Sequence, residues 1–220
     1  MKKMKNTRRE TALRCDGDRD QLLRRLLIEA APIFSRLKPA MLIRISGCSC
    51  MADVRHDHLF CRHQGEIVKI LGLEHRILLQ SVSGVLVFFY DPTLLYETLS
   101  DAPNRSFLVT RGCGECASLA EDLNWLENCF HDCSIDFPHE VGLFLGYPLK
   151  DVEGFVKRQR PSDAGRGVAW RIFGESESSL ALMERFRAAR ERVRKQLQRE
   201  SDVERFCLRL LRQRGLVSGH

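Results

Sequence analysis

Apolar residues along this chain recur at two periods, and the change from one to the other marks the elements. Leu22, Leu23, Leu26, Leu27, Ala30 and Ala31 follow at three and four residues, which predicts a helix behind the capping pair Asp18 and Gln21. Pro32 bends or ends that helix, and Pro39 closes the segment. Met41 to Ile45 alternates as a short strand does. His63 to Leu73 reads as a helix stopped near Gly72. Arg76–Val82 and Val85–Tyr90 are rich in β-formers and are separated by Ser83-Gly84, which predicts a hairpin. Asp91-Pro92 then opens a helix, a capping carboxylate followed by proline at the first position, with Leu94, Leu95 and Leu99 on its inner face.

The second half is predominantly helical. Residues 104 to 111 form one short helix, stopped by Gly112 and Gly114. A longer one starts at Ala117 or Ser118 and carries Leu119, Leu123, Leu126 and Phe130 at helical spacing. Val168 to Phe173 reads as a strand behind a glycine-marked loop. Ser176 to Ser179 cap a long helix with Met183, Phe186, Val193 and Leu197 on one face. Ser201-Asp202-Val203-Glu204 is a capping box that restarts it, with an end at Gly215. About four strands and seven or eight helices, without regular alternation, predict an α+β domain and not a doubly wound parallel sheet. Its sheet is small and mostly antiparallel, packed by several helices. No glycine-rich phosphate loop follows any strand.

Between these elements lies the densest stretch of the chain, Phe137 to Phe155. Pro138 suits a helix start, so His139 and Glu140 fall where backbone N–H groups are unpaired. Gly146-Tyr147-Pro148 reads as a stop and a restart, with Asp151 in the first turn of a second helix. Two short helices meeting at a sharp corner follow. His139 at a helix start would favour its neutral form and serve as a base or ligand, and Glu140 would orient it or carry a proton. Both could equally be capping residues. The pair is not a zincin motif, since Leu143 stands where a histidine would be needed. Tyr147, Asp151 and Trp170 are candidates to complete a ligand pocket, against the plainer roles of core packing and helix-end stabilisation.

The run Phe-Pro-His-Glu-Val-Gly-Leu-Phe-Leu-Gly-Tyr-Pro, continued by Asp151-Val152 and Gly154-Phe155, resembles the signature of the domain of unknown function 3793 family. Ala31-Pro32 with Lys38-Pro39-Ala40-Met41-Leu42, and Trp170-Arg171-Ile172-Phe173-Gly174, resemble two further segments of it. The resemblance spans roughly residues 20 to 190. It implies a source among mainly anaerobic bacteria and implies no activity. The chain departs from the expected pattern at Ala30, where a cysteine is expected, and at Gly112-Cys113, where Gly-Tyr is expected.

Charge and cysteine content sharpen the picture. The net charge is +6, with 9 Lys or Arg against 4 acids in residues 1 to 25 and 11 against 5 in residues 180 to 214. Residues 1–17 read as a flexible basic arm, 18–198 as a single domain, and 199–220 as a basic C-terminal helix and tail. No nucleic-acid motif accompanies the charge, so only weak electrostatic binding to nucleic acid is expected. The absence of an apolar run near twenty residues argues against membrane insertion, and the absence of a signal core points to the cytoplasm.

Nine cysteines, an odd number without a secretory signal, argue against a disulfide framework. Cys113-x-x-Cys116 and Cys129-x-His131-x-Cys133 have ligand spacing for zinc, iron or an iron–sulfur cluster. Helical spacing also puts Cys129 and Cys133 beside Leu126, where they would be small core residues. A cluster at Cys48, Cys50, His56, His58, Cys61 and His63 is a second metal candidate or a solvated loop. The best-supported function at this level is a non-catalytic accessory protein binding a metal, cofactor or partner through residues 137–155. The alternative is an enzyme using His139 and Glu140.

Overall fold

A computed structural model describes residues 12–14, 19–46, 59–81, 84–132, 137–162 and 170–213. It is an α+β protein built on a four-stranded sheet of order β1-β2-β4-β3, where β1 is Ala12–Arg14, β2 Ala40–Ser46, β3 Glu74–Ser81 and β4 Gly84–Tyr90. β2, β4 and β3 pair antiparallel, and β1 adds a short parallel edge beside β2. Ala12–Arg14 lies within the segment expected to be an arm.

β4 is buried along its whole length, and its alternation explains the architecture. Val85, Val87 and Phe89 belong to one core, and Leu86, Phe88 and Tyr90 to another. Side chains alternate across a strand, so these two sets face opposite sides of the sheet. An antiparallel sheet commonly leaves one face to solvent, but a continuous run such as Val85-Leu86-Val87-Phe88-Phe89 requires cover on both. The first face is covered by α1 (Arg19–Phe34), α2 (Leu59–Leu71), α8 (Glu177–Leu197) and α9 (Val203–Gln213). The second is covered by α3 (Pro92–Ser100), α4 (Ala102–Thr110), α5 (Leu119–His131), α6 (Val141–Phe144) and α7 (Leu149–Val156).

Local signals act as the sequence predicts at several joints. Asp91 caps α3 by accepting from the Leu94 N–H at 3.0 Å. Ser118 and Glu121 form a reciprocal capping box on α5. Gly72, at φ +59°, follows α2. α1 carries Pro32 inside it and runs to Phe34, so the helix continues two residues past the proline with one backbone donor fewer. Arg24 of α1 donates to the Leu197 and Glu200 carbonyls at 2.8 Å, tying α1 to the end of α8. Arg19 bonds Glu66 of α2 and Glu204 of α9.

Three expectations are corrected. Residues 171–173 are not a strand: the Ile172 carbonyl accepts from Ser162 and the Phe173 N–H donates to Asp151, so no sheet ladder forms. Residues 168 and 169 lie outside the described residues. Ser176 makes no capping bond; the Glu175 carboxylate accepts from Ser178 instead. Glu204 does not close a capping box on α9, since its carboxylate faces Arg19, and Asp202 alone caps by accepting from the Arg205 N–H. The expected end at Gly215 lies outside the described residues.

Candidate functional site

The stretch 137–155 folds as two short helices, α6 and α7, joined at Gly146. Gly146 has φ +74°, and a Cβ there would lie 2.6 Å from Pro39 Cδ. Glycine is therefore demanded twice at this corner, by backbone conformation and by the approach of the Lys38-Pro39 segment. The close fit brings the corner against the entrance to β2.

Asp151 sits at the centre of this region, only 2 % exposed. Its carboxylate accepts from the Ser179 hydroxyl at 2.6 Å, Trp170 Nε1 at 2.8 Å, the Phe173 N–H at 2.9 Å and Lys150 Nζ at 3.0 Å. Burial pushes its pKa up, yet the bonds from Ser179, Phe173, Trp170 and Lys150 outweigh burial and hold it below the usual value. Asp151 thus pins the 170–173 segment and the start of α8 to α7. The pinned Trp170 ring stacks on Tyr147, with centroids 4.4 Å apart and planes at 16°. Tyr147, Asp151 and Trp170 are brought together, in an order: Asp151 holds Trp170, and Trp170 supports Tyr147.

Tyr147 lines a shallow cleft of about 270 Å³, together with Lys38, Pro39, Leu94, Leu149 and Leu182. Arg36 and Glu97 also line it and form a loose pair at 3.7 Å, both well exposed. Lys38 is only 6 % exposed, and its ammonium makes no hydrogen bond or ion pair among the described residues. Its neighbours are the Phe186 ring, 5.6 Å from Nζ, and the Glu29–Arg190 pair, closed on itself at 2.9 Å. Burial first, and the Arg190 charge second, bring its pKa down to about 7, against a smaller opposing pull from Glu29. Sequence reasoning missed Lys38 as a site residue. Its lysine-proline context carries no chemical signal, and only the fold surrounds it.

His139 and Glu140 are not brought to this cleft. They form the turn before α6, and Glu140 makes no cap there. The buried Glu140 carboxylate accepts from Arg111 Nε at 2.6 Å. The His139 ring packs edge-on against Phe155, at 4.4 Å between centroids.

The cysteines part company. Cys113 is buried and its thiol donates to Asp122 at 3.1 Å, while Arg105 grips the same carboxylate with two bonds of 2.7 Å. Burial first, and then Asp122, push its pKa to about 11, so it is held as a neutral donor. Cys116 is exposed and Cys129 half-buried, and Cys133 lies outside the described residues. Burial raises the Cys129 pKa, with smaller contributions from Glu140 and Asp132. Among the described residues no group of three or more His, Cys, Asp or Glu is placed to hold a metal ion. Of the second cluster, Cys48, Cys50, His56 and His58 also lie outside them. No helix among the described residues is long and apolar enough to cross a membrane.

Neither the curated proteins nor the solved structures yield a significant match to this chain. A family model does match, over residues 26–207, which takes in strands β2, β3 and β4, the Lys38 cleft, the α6–α7 corner and the Asp151 cluster. With most of its length so covered, the chain belongs to the family described as protein of unknown function, DUF3793.

Proposed function

We propose that the protein is a non-catalytic accessory protein that binds a small anionic ligand at the corner of the 137–155 stretch. One observation carries this reading: Lys38, buried, without a bonding partner among the described residues, and lining the cleft beside Tyr147. A buried polar group without a partner costs free energy, and a ligand that supplies the partner recovers it. The rest of the lining is largely apolar but includes Thr98, Asn104 and Glu97, with Arg36 able to contribute a second cation once it leaves Glu97. Commitment of the Glu140 carboxylate to Arg111, and of Asp151 to its four donors, favours binding over acid–base catalysis by this stretch.

Proton coupling follows from the chemistry. Above about pH 7 the Lys38 amine is largely neutral in the free protein. An anion beside it favours the charged form, so binding takes up a proton and weakens as pH rises. Titration with malonate and with inorganic phosphate, followed by tryptophan fluorescence, tests this, because Trp170 stacks on Tyr147. Tighter binding at pH 6 than at pH 8.5, abolished in Lys38→Met, is expected. Failure of both anions to bind, or equal binding by Lys38→Met, removes the reading.

A further inference from the structure

We propose that α8 carries a docking surface for the phosphate backbone of nucleic acid, independent of the cleft. The helix divides its surface into three strips. Phe186, Ala189, Val193 and Leu197 are buried against the protein, and Arg190 reaches Glu29 of α1 on that side. On a second strip the acids are consumed internally, Glu184 by Arg187 at 2.7 Å and Glu191 by Arg194 at 2.5 Å. The third strip holds Arg185, Arg192 and Lys195, all exposed and without an acidic partner among the described residues.

Seven and ten residues are about two and about three helical turns, so these three cations share one face and span about 15 Å of helix axis. Arg199 continues the line in the turn after α8, beside a cleft of about 260 Å³ between α8 and α9 where Arg209 is already paired with Glu200. The strip carries exposed Ala188 between Arg185 and Arg192, and exposed Ala181 about one turn before Arg185, which leave room for a backbone to lie close.

The composition of the strip selects the partner. A membrane-surface helix needs large apolar side chains beside its cations. The exposed large hydrophobics of the described residues are Tyr96 and Leu208, neither of them on α8. A row of unpaired cations over small side chains fits a polyphosphate strand, held without reading its bases.

Fluorescence anisotropy with a random-sequence 20-nucleotide DNA, single-stranded and duplex, at 50 to 200 mM salt tests the surface. Four phosphate contacts on a duplex give a slope of log affinity against log salt of about −3.6. Arg192→Gln with Lys195→Gln is expected to flatten that slope by about 1.8. Arg158→Gln with Arg160→Gln removes the same charge from exposed arginines away from α8, without freeing an acid among the described residues, and is expected to leave it unchanged. Both pairs are exposed, and thermal melting confirms that each variant folds. Equal flattening by both pairs assigns the effect to net charge and overturns the proposal, as does absence of binding at 50 mM salt. Tighter binding to phosphatidylserine vesicles than to duplex overturns it in favour of a membrane surface.

Discussion

Lys38 and Asp151 are both buried ionisable groups, and the protein treats them in opposite ways. Asp151 receives four donors and stays charged. Lys38 receives none among the described residues and gives up its proton near neutrality. Asp151→Asn keeps the shape but turns an amide N–H toward existing donors, and is expected to cost about 3–5 kcal/mol in urea denaturation. The depressed native pKa of Asp151 contributes stability above the ordinary carboxylate range and loses it as pH falls through the native value. The variant should therefore lack that part of the acid limb. The Lys38 pKa is depressed as well, so its pH slope has the same sign, here as a burial penalty relieved as pH rises. The unfolded chain binds more protons between pH 7 and the ordinary lysine value, so its burial penalty is full below pH 7 and fades as pH rises. Lys38→Met is expected to stabilise the protein more at pH 7 than at pH 10; a gap that widened with pH would sink this account.

At the scale of elements, the α6–α7 corner is the tightest joint. Gly146→Ala forces a left-handed alanine against Pro39 and is expected to cost about 2–4 kcal/mol, combining backbone strain with overpacking. Leu145, buried next to it, should cost about 2–5 kcal/mol when cut to alanine. A contrast with Glu140→Gln is informative. Its Arg111 partner is 43 % exposed, so solvent can take over part of that bond and the loss should be smaller than for Leu145→Ala. Thermal melts of the three variants rank them. A Glu140→Gln loss equal to that of Leu145→Ala would make the Arg111 pair a principal brace of the turn.

Across the whole molecule, both helical layers rest on β4. Phe88 is fully buried and touches Tyr90 and Phe144, while its neighbour Phe89 faces the other layer beside Phe60. Loss of either layer strips one face of the central strand, so the layers are expected to unfold together. Tryptophan fluorescence and far-UV circular dichroism should give coincident urea transitions. Two separated transitions would show that the layers fold independently. The C-terminal segment bears on the same point. Val203, Phe206, Cys207 and Leu211 of α9 are buried in the core that holds α1 and α2, so a chain ending at residue 198 is expected to melt well below the full chain.

Elements and their ends were legible wherever the determining interaction is local. The Asp91 cap, the 74–90 hairpin and the backbone turn at Gly146 each depend on residues a few positions apart, and periodicity with turn chemistry suffices to read them. The family resemblance was legible for the same reason, being carried chiefly by one continuous run. The 168–173 run shows the limit. Its β-forming residues promise a strand, but residues 171–173 give their backbone bonds to Asp151 and Ser162, and a partner more than twenty positions distant decided the outcome. Tyr147, Asp151 and Trp170 could be named as a group from sequence, but not ordered. That Asp151 holds Trp170 and Trp170 supports Tyr147 is a tertiary fact, as is the separation of His139 and Glu140 from the cleft. Lys38 is the clearest case. A lysine before a proline has no distinguishing pattern, and its burial, its missing partner and its lowered pKa exist only once α8 and the α6–α7 corner close over it. Charge patterns report what a residue is; desolvation reports where it is, and only the packed chain creates that.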